Sequence, residues 1–220
     1  ARTNLKAQTA AVLYDVASEY NKGIAEFFKK FFEAAGGKVV AFESYTKDDK
    51  DFSSQLTIIK AANPEVLFLP NYYNEVPLQA QQARRLGLTM PIIGSDSWGS
   101  EEILRLGGQD LEGSYFSTHY AADIATETAQ KFIREYEAKY KKKPDDVAAL
   151  TYDAGRLLCA AITKAGSLDR KKVRDALASI QEFDGVTGKM KFSGGGDPVK
   201  SAVILQIKDK KFKYYDSVQP

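Results

Sequence analysis

The sequence predicts an α/β protein with a doubly wound, mostly parallel sheet that has helices on both faces. Two observations support this prediction. Over the first 120 residues, short apolar runs alternate with segments whose apolar residues recur at helical spacing, which is typical of parallel strands joined by right-handed helical crossovers. After that point the pattern changes to successive amphipathic helices, which indicates a second part with a different construction.

Five strands and four helices are predicted in the first part of the chain. The strands cover residues 10–16, 38–45, 65–70, 91–94 and 112–120. The first helix ends at Gly36 and Gly37 and carries four phenylalanines that we assign to the core: Phe27, Phe28, Phe31 and Phe32. The second helix follows a cap at Asp51, and the other two cover residues 74–86 and 101–108.

The second part contains three predicted helices, at residues 127–141, 146–165 and 169–180, with no strand between them. Their apolar faces need a cover, yet the chain then offers only a strand pair, residues 188–192 and 201–207, followed by "KFKYY". We interpret the helices as belonging to a second lobe whose sheet is absent from this chain, which makes the chain a fragment. The alternative is a self-contained helical subdomain.

This interpretation divides the chain into three segments. Residues 1–120 form an α/β lobe, residues 121–193 supply helices of the other, truncated lobe, and residues 194–220 return to the first lobe. The connections would lie at 120–128 and 194–198, and two crossings between lobes predict a hinge.

The composition favours a small ligand over nucleic acid, metal or membrane. Thirty-one Lys and Arg residues are interspersed with 29 Asp and Glu residues, so no basic surface is expected. One cysteine and one histidine allow neither an internal disulfide nor a zinc site of the usual ligands, and Cys159 in "RLLCAAI" is predicted to be a buried apolar residue. No apolar run is long enough to span a bilayer, and the amino terminus lacks the order of a signal peptide.

A ligand site is expected at the carboxyl ends of the strands, where ligands bind in open parallel sheets. The loops there are rich in tyrosine and small polar residues, contain Asp15 and Asp96, and are poor in lysine and arginine. They suit a cation such as an ammonium better than a phosphate. Dinucleotide, P-loop and hydrolase signatures are absent, so no enzyme is predicted, and Asp15 is interpreted as a helix cap rather than a phosphoacceptor.

Several stretches resemble one family, the leucine/isoleucine/valine-binding proteins among the type I periplasmic binding proteins. They are "AAVLYDVASEYNKG", "NYYNEVPLQAQQARRLGL", "IIGSDSW", "AKYKKKPDDVAALTYDAGRLLCAAI" and "FDGVTGKMKF". The similarity covers the whole chain but only the later part of such a protein. It implies the solute-binding component of an ABC importer, without cofactor, which traps an amino acid between two lobes and presents it to a membrane permease. A ligand-sensing domain of a receptor or transcription regulator with the same fold is the alternative.

The resemblance also implies individual site residues. Tyr20 and Tyr72 match cleft tyrosines, with Tyr73 as the neighbouring possibility for the second, and Asp96 matches the acid that receives the ligand's ammonium, a glutamate in the best-known members. Trp98 either forms a wall of the side-chain pocket or packs beneath the turn. Groups for the ligand's carboxylate would come mainly from the absent lobe, supplied by another chain or by self-association. The implied location is periplasmic or extracellular, with membrane association if the protein is a lipoprotein.

Overall fold

The computed structural model describes residues 1–121, 126–194 and 196–219, which divide into two compact units. The first unit contains residues 1–117 and 205–213, and the second contains residues 118–204 and the residues from 214 onward. The chain therefore passes between the units at three points. The sequence placed the return at residue 194, whereas this division places it after residue 204. Residues 122–125, within the connection predicted at 120–128, and Gly195, within the predicted return, lie outside the described residues.

The first part of the chain has the predicted alternation of strand and helix. Its elements are β1 (Thr9–Asp15), α1 (Glu19–Ala34), β2 (Lys38–Tyr45), α2 (Ser53–Ala62), β3 (Val66–Leu69), α3 (Val76–Arg85), β4 (Ile92–Gly94), α4 (Glu102–Gly107) and β5 (Tyr115–Thr118). Neighbouring strands pair in parallel in the order β5-β4-β3-β1-β2. The prediction of a mostly parallel α/β sheet is confirmed.

The central strands are continuous apolar runs because helices cover both faces of the sheet. In β1, residues 10–13 are fully buried, and Val12 pairs with Phe68 of β3. Helix α1 begins where the Ser18 side chain accepts a hydrogen bond from the Asn21 amide, and it ends before Gly36, whose positive φ of 79° suits glycine. Asp51 is not the cap of α2: its carboxylate accepts from the Ser53 amide at 2.9 Å, and the residue at the cap position is Phe52.

The assignment of all four α1 phenylalanines to the core was wrong for two of them. Phe32 is buried, but Phe27 and Phe31 are 61% and 63% exposed, with their rings stacked on each other. At 100° per residue, positions 27, 28, 31 and 32 span roughly 140° of the helix surface, which is wider than the stripe that packs on the sheet. The apolar pattern therefore indicated the helix correctly but overestimated its buried face.

The second part contains the three predicted helices and more strands than expected. Its elements are α5 (Glu127–Tyr140), α6 (Asp146–Ala165), α7 (Arg170–Ala178), β6 (Glu182–Gly185), β7 (Gly188–Phe192), β8 (Pro198–Val199), β9 (Ala202–Lys208) and β10 (Lys211–Val218). The predicted pairing of 188–192 with 201–207 was wrong. Strand β7 lies between β6 and β8 in a small antiparallel sheet, whereas β9 lies beside β5 and extends the larger sheet to β10.

Helix α6 has a small buried face for its length. Its 20 residues include four buried ones, Asp146, Ala149, Asp153 and Ala161, whereas apolar side chains such as Val147 and Leu158 are exposed. The prediction that Cys159 is buried was also wrong, because this cysteine lies on the uncovered side of the helix. The apolar residues of this amphipathic helix are thus only partly buried.

Buried Asp153 ties α6 to the turn between β6 and β7. Its carboxylate accepts from the amides of Val186 and Thr187 at 2.7 and 2.9 Å, and from the Thr187 hydroxyl at 2.8 Å. The backbone at Gly185 passes so close that an added Cβ would lie 2.8 Å from the Asp153 carboxyl carbon. A glycine is therefore needed at this position for space.

We expect Gly185→Ala to lower the free energy of unfolding by about 1–3 kcal/mol, because the methyl group must displace a hydrogen-bonded carboxylate. Gly155→Ala in α6 is the matched control, since a Cβ there meets no atom within 4 Å. It should raise stability by about 0.5–1 kcal/mol through helix propensity. Urea unfolding followed by circular dichroism measures both, and equal effects of the two substitutions would contradict the argument.

Candidate functional site

Three of the four predicted site residues lie together at the carboxyl edge of the parallel sheet. Tyr20 is in the first turn of α1, Tyr72 follows β3, and Asp96 follows β4. The Tyr20 hydroxyl donates a hydrogen bond to Asp96 Oδ1, and the Tyr20 and Tyr72 rings stack with centroids 5.5 Å apart. The carboxyl ends of parallel strands lie at one edge of the sheet, which is how residues 76 positions apart in the chain meet here.

The cluster combines an accessible aromatic face with a carboxylate held in a fixed position. Tyr72 is 43% exposed, and Tyr20 and Asp96 are partly buried. Burial, and next the hydrogen bond to Asp96, raise the pKa of Tyr20, so its phenol remains a neutral donor at physiological pH. It is Tyr72, rather than the neighbouring Tyr73, whose ring stacks on Tyr20. An aromatic face beside a carboxylate suits a cationic group.

Trp98 belongs to the same short turn as Asp96, but its side chain is buried. The residue is fully buried, its ring centroid is 6.1 Å from that of Phe116, and a Cβ at Gly94 would lie 2.6 Å from its Cζ2 atom. Trp98 ends the short 3-10 turn Asp96–Trp98, in which its amide donates to the Ser95 carbonyl at 3.2 Å. The Trp98 ring is thus enclosed by the protein.

The sequence did not single out two serines on either side of Asp96. Ser95 Oγ accepts from the Tyr20 hydroxyl and donates to the Pro70 carbonyl, both at 3.2 Å, and it lies 2.9 Å from Ser97 Oγ. Ser97 Oγ donates to the Asn71 carbonyl at 2.8 Å. In the sequence, these serines could have been recognised by their position beside Asp96, a candidate acid at a strand end. Together they tie the turn that carries Asp96 to the loop that carries Tyr72.

A buried amide network that the sequence also missed lies below the cluster. Asn21, Asn71 and Gln79 are fully buried, and Asn71 hydrogen-bonds to both of the others. Asp15 is close to this network: its amide donates to Asn71 Oδ1 at 3.2 Å, and its carboxylate accepts from the Ala17 amide at 2.9 Å. The interpretation of Asp15 as the helix cap was wrong, because Ser18 has that role. Its carboxylate instead closes the turn that precedes α1.

The described residues contain no group of three or more His, Cys, Asp or Glu side chains that could hold a metal ion. Within the same residues, no helix is both long and apolar enough to cross a membrane.

Comparison with solved structures identifies the class of fold. The chain superposes over its full length on a leucine-binding protein, LivK, from Thermotoga maritima, with a TM-score of 0.95 and 34% identity, covering 63% of that chain. It also superposes on the substrate-binding protein LivJ of a branched-chain amino acid transporter from Streptococcus pneumoniae, in complex with isoleucine, with a TM-score of 0.89, 31% identity and 62% coverage of that chain. The chain thus has the fold of the type I periplasmic binding proteins.

Sequence comparison then gives the family. The profile of the periplasmic binding protein family matches residues 1–211, and the chain belongs to this family. It is 32% identical over 193 residues to the leucine-, isoleucine-, valine-, threonine- and alanine-binding protein of Pseudomonas aeruginosa, a match that covers 87% of this chain and 51% of that protein. The resemblance to the leucine/isoleucine/valine-binding proteins is confirmed. The chain spans about half the length of the curated relatives it matches.

Proposed function

We propose that this chain is part of the solute-binding component of an ABC importer and contributes one wall of a cleft that holds an amino acid. The observation that supports this proposal is the cluster of Tyr20, Tyr72 and Asp96 at the strand ends. Asp96 receives the α-ammonium of the ligand, and the two tyrosines line the same wall. Tyr20 holds the Asp96 carboxylate in position through its hydroxyl group.

The ligand we propose is an amino acid with an apolar, branched side chain. The ammonium follows from the chemistry of the cluster, since a carboxylate beside aromatic rings attracts a cation. The branched side chain follows from the relatives, which are described as binding leucine, isoleucine and valine, and from the isoleucine in the pneumococcal structure. Trp98 supports the turn from below rather than contacting the ligand, because its ring is fully buried.

The other wall of the cleft comes from a lobe that this chain supplies only in part. The exposed apolar side chains of α6, Val147, Leu158 and Cys159, support this view, since a further layer of the lobe would bury them. We propose that a lobe completed by further residues, or by another chain or copy, supplies the groups for the ligand's carboxylate. The chain passes between the two units three times, so we expect a hinge about which the lobes close on the ligand. A membrane permease would then recognise the closed form of the protein from the periplasmic or extracellular side, without any chemical reaction.

The isolated chain is therefore expected to bind L-leucine with a dissociation constant weaker than about 1 mM, because in this proposal residues outside the chain supply the second wall and the carboxylate donors. Isothermal titration calorimetry measures this directly. A micromolar dissociation constant for the isolated chain would contradict the proposal of an incomplete cleft.

A chimera tests the function itself. The amino-terminal part of the Thermotoga maritima relative, joined ahead of this chain, would complete the second lobe on a fold that superposes at a TM-score of 0.95. The chimera is expected to bind L-leucine at least about a hundredfold more tightly than the isolated chain, a gain of about 2.7 kcal/mol. A folded chimera that binds no amino acid from a panel of the natural twenty would overturn the proposed function.

A further inference from the structure

We propose that Asn71 is a positioning residue, which holds Tyr20, Tyr72 and Asp96 in one fixed arrangement through its side chain and its carbonyl group. The inference rests on the proposed function, because it assigns a role within that site. Asn71 is fully buried in the loop that follows β3, and Tyr72 is the next residue in the chain. Asn71 has no exposed surface, so it acts through its neighbours.

The first connection runs from Asn71 to Tyr20. Asn21 follows Tyr20 in the first turn of α1, and its Nδ2 donates to Asn71 Oδ1 at 3.3 Å. The same Oδ1 atom accepts from the Asp15 amide at 3.2 Å, at the point where β1 ends. One amide oxygen thereby fixes the start of the helix that carries Tyr20 relative to the loop that carries Tyr72.

The second connection runs to Asp96 and returns to Tyr20. The Asn71 carbonyl accepts from Ser97 Oγ at 2.8 Å, and Ser97 Oγ lies 2.9 Å from Ser95 Oγ, which is 3.2 Å from the Tyr20 hydroxyl oxygen. These polar contacts connect Asn71 with both serines that flank Asp96 and with the Tyr20 hydroxyl. Displacing one of these groups would disturb its neighbours as well, because their polar contacts are connected.

The third connection anchors Asn71 to the sheet and to α3. Its Nδ2 donates to the Leu13 carbonyl at 2.9 Å and to Gln79 Oε1 at 2.8 Å. A side-chain amide has two donor hydrogens and one oxygen that accepts two bonds, and Asn71 uses all of them. Leucine would satisfy none of these four bonds, and an ionised aspartate would lose both donations. Asparagine is thus the residue of this size that satisfies the site.

Ligand-free spectroscopy on the isolated chain tests the proposal. In Asn71→Leu, we expect the amide signals of Tyr72 and of residues 95–99 to shift in a nitrogen–proton correlation spectrum, together with the emission of Trp98. We also expect the pKa of Tyr20, followed by carbon-13 labelling of the tyrosine ring, to fall, because burial and next the hydrogen bond to Asp96 raise it and a displaced Tyr20 would lose part of both. Leu56→Ala in α2 is the control, since Leu56 is fully buried and outside this network.

The control should lose stability yet keep the native signals of the site, because its cavity lies in another part of the core.

Variants that each remove one of the connections give a second test, which remains informative if Asn71→Leu folds poorly. Ser97→Ala should shift mainly the signals of residues 95–99, while Asn21→Ser should shift mainly the signals of residues 20–23. Unchanged site signals in a folded Asn71→Leu, or equal changes in Leu56→Ala, would overturn the proposal. These outcomes are separate from the leucine titrations, because no ligand is added.

Discussion

Trp98→Ala is expected to lower the free energy of unfolding by about 3–5 kcal/mol, the usual cost of removing a large buried aromatic side chain. Trp98 has no exposed surface, and its ring fills the space between Gly94 at the end of β4 and Phe116 of β5. The turn above it is small and polar, so little apolar material is available to fill the cavity. Urea unfolding followed by circular dichroism measures the loss, since the variant has no tryptophan to report by fluorescence.

A double-mutant cycle shows whether the loss comes from this packing. Gly94→Ala alone places a Cβ 2.6 Å from Trp98 Cζ2, and we expect it to cost about 1–3 kcal/mol through overpacking. In the Trp98→Ala background the ring is gone, and the same substitution should cost much less. Additive losses would contradict direct packing of the ring on Gly94. Trp98→Phe, which keeps a smaller ring, should lose less stability than Trp98→Ala.

The fold was predictable because apolar residues recur with a different spacing in its strands and in its helices. The sequence predicted β2 and α6 with the same bounds as the structure, since continuous apolar runs and helical spacing are hard to confuse over such lengths. Strands β6 and β8 were missed for a physical reason. "EFDG" and "PV" are short and mostly polar or exposed, and they are held by pairing with β7 rather than by burial.

The topology of the sheet made the location of the site predictable, but not the hydrogen bonds within it. Parallel strands end at one edge, which predicted that the loops carrying these residues meet; the resemblance to the family then implied Tyr20, Tyr72 and Asp96, and Tyr20 contacts both of the others. The sequence could not indicate the bonds of Asn71, because a buried side-chain amide has no period and its partners lie far apart in the chain. It also could not decide whether Trp98 forms a wall of the pocket or packs beneath the turn, since a residue in a short turn has no regular face from which burial can be inferred.

In the two-lobed chimera, Asp96→Ala is expected to weaken L-leucine binding by about 2–5 kcal/mol, the usual cost of leaving one member of a buried charge pair without its partner. The ligand's ammonium would lose its carboxylate inside a closed cleft, where water cannot replace it. Isothermal titration calorimetry measures the change at constant pH. Glu102→Ala is the matched control, because Glu102 is an acid six residues further on whose carboxylate pairs with Arg105 at the surface, and it should leave the affinity unchanged.

A ligand analogue separates the charge pair from general damage to the turn. Asp96→Ala also removes the acceptor of the Tyr20 hydroxyl, so some loss could come from a displaced tyrosine rather than from the ammonium. 4-Methylpentanoate has the carboxylate and the branched side chain of leucine but no amine. If Asp96 acts on the ammonium, this analogue should bind the original chimera weakly and lose little further affinity in Asp96→Ala. Equal losses for leucine and for the analogue would assign Asp96 to the support of Tyr20 and remove it from direct contact with the ligand.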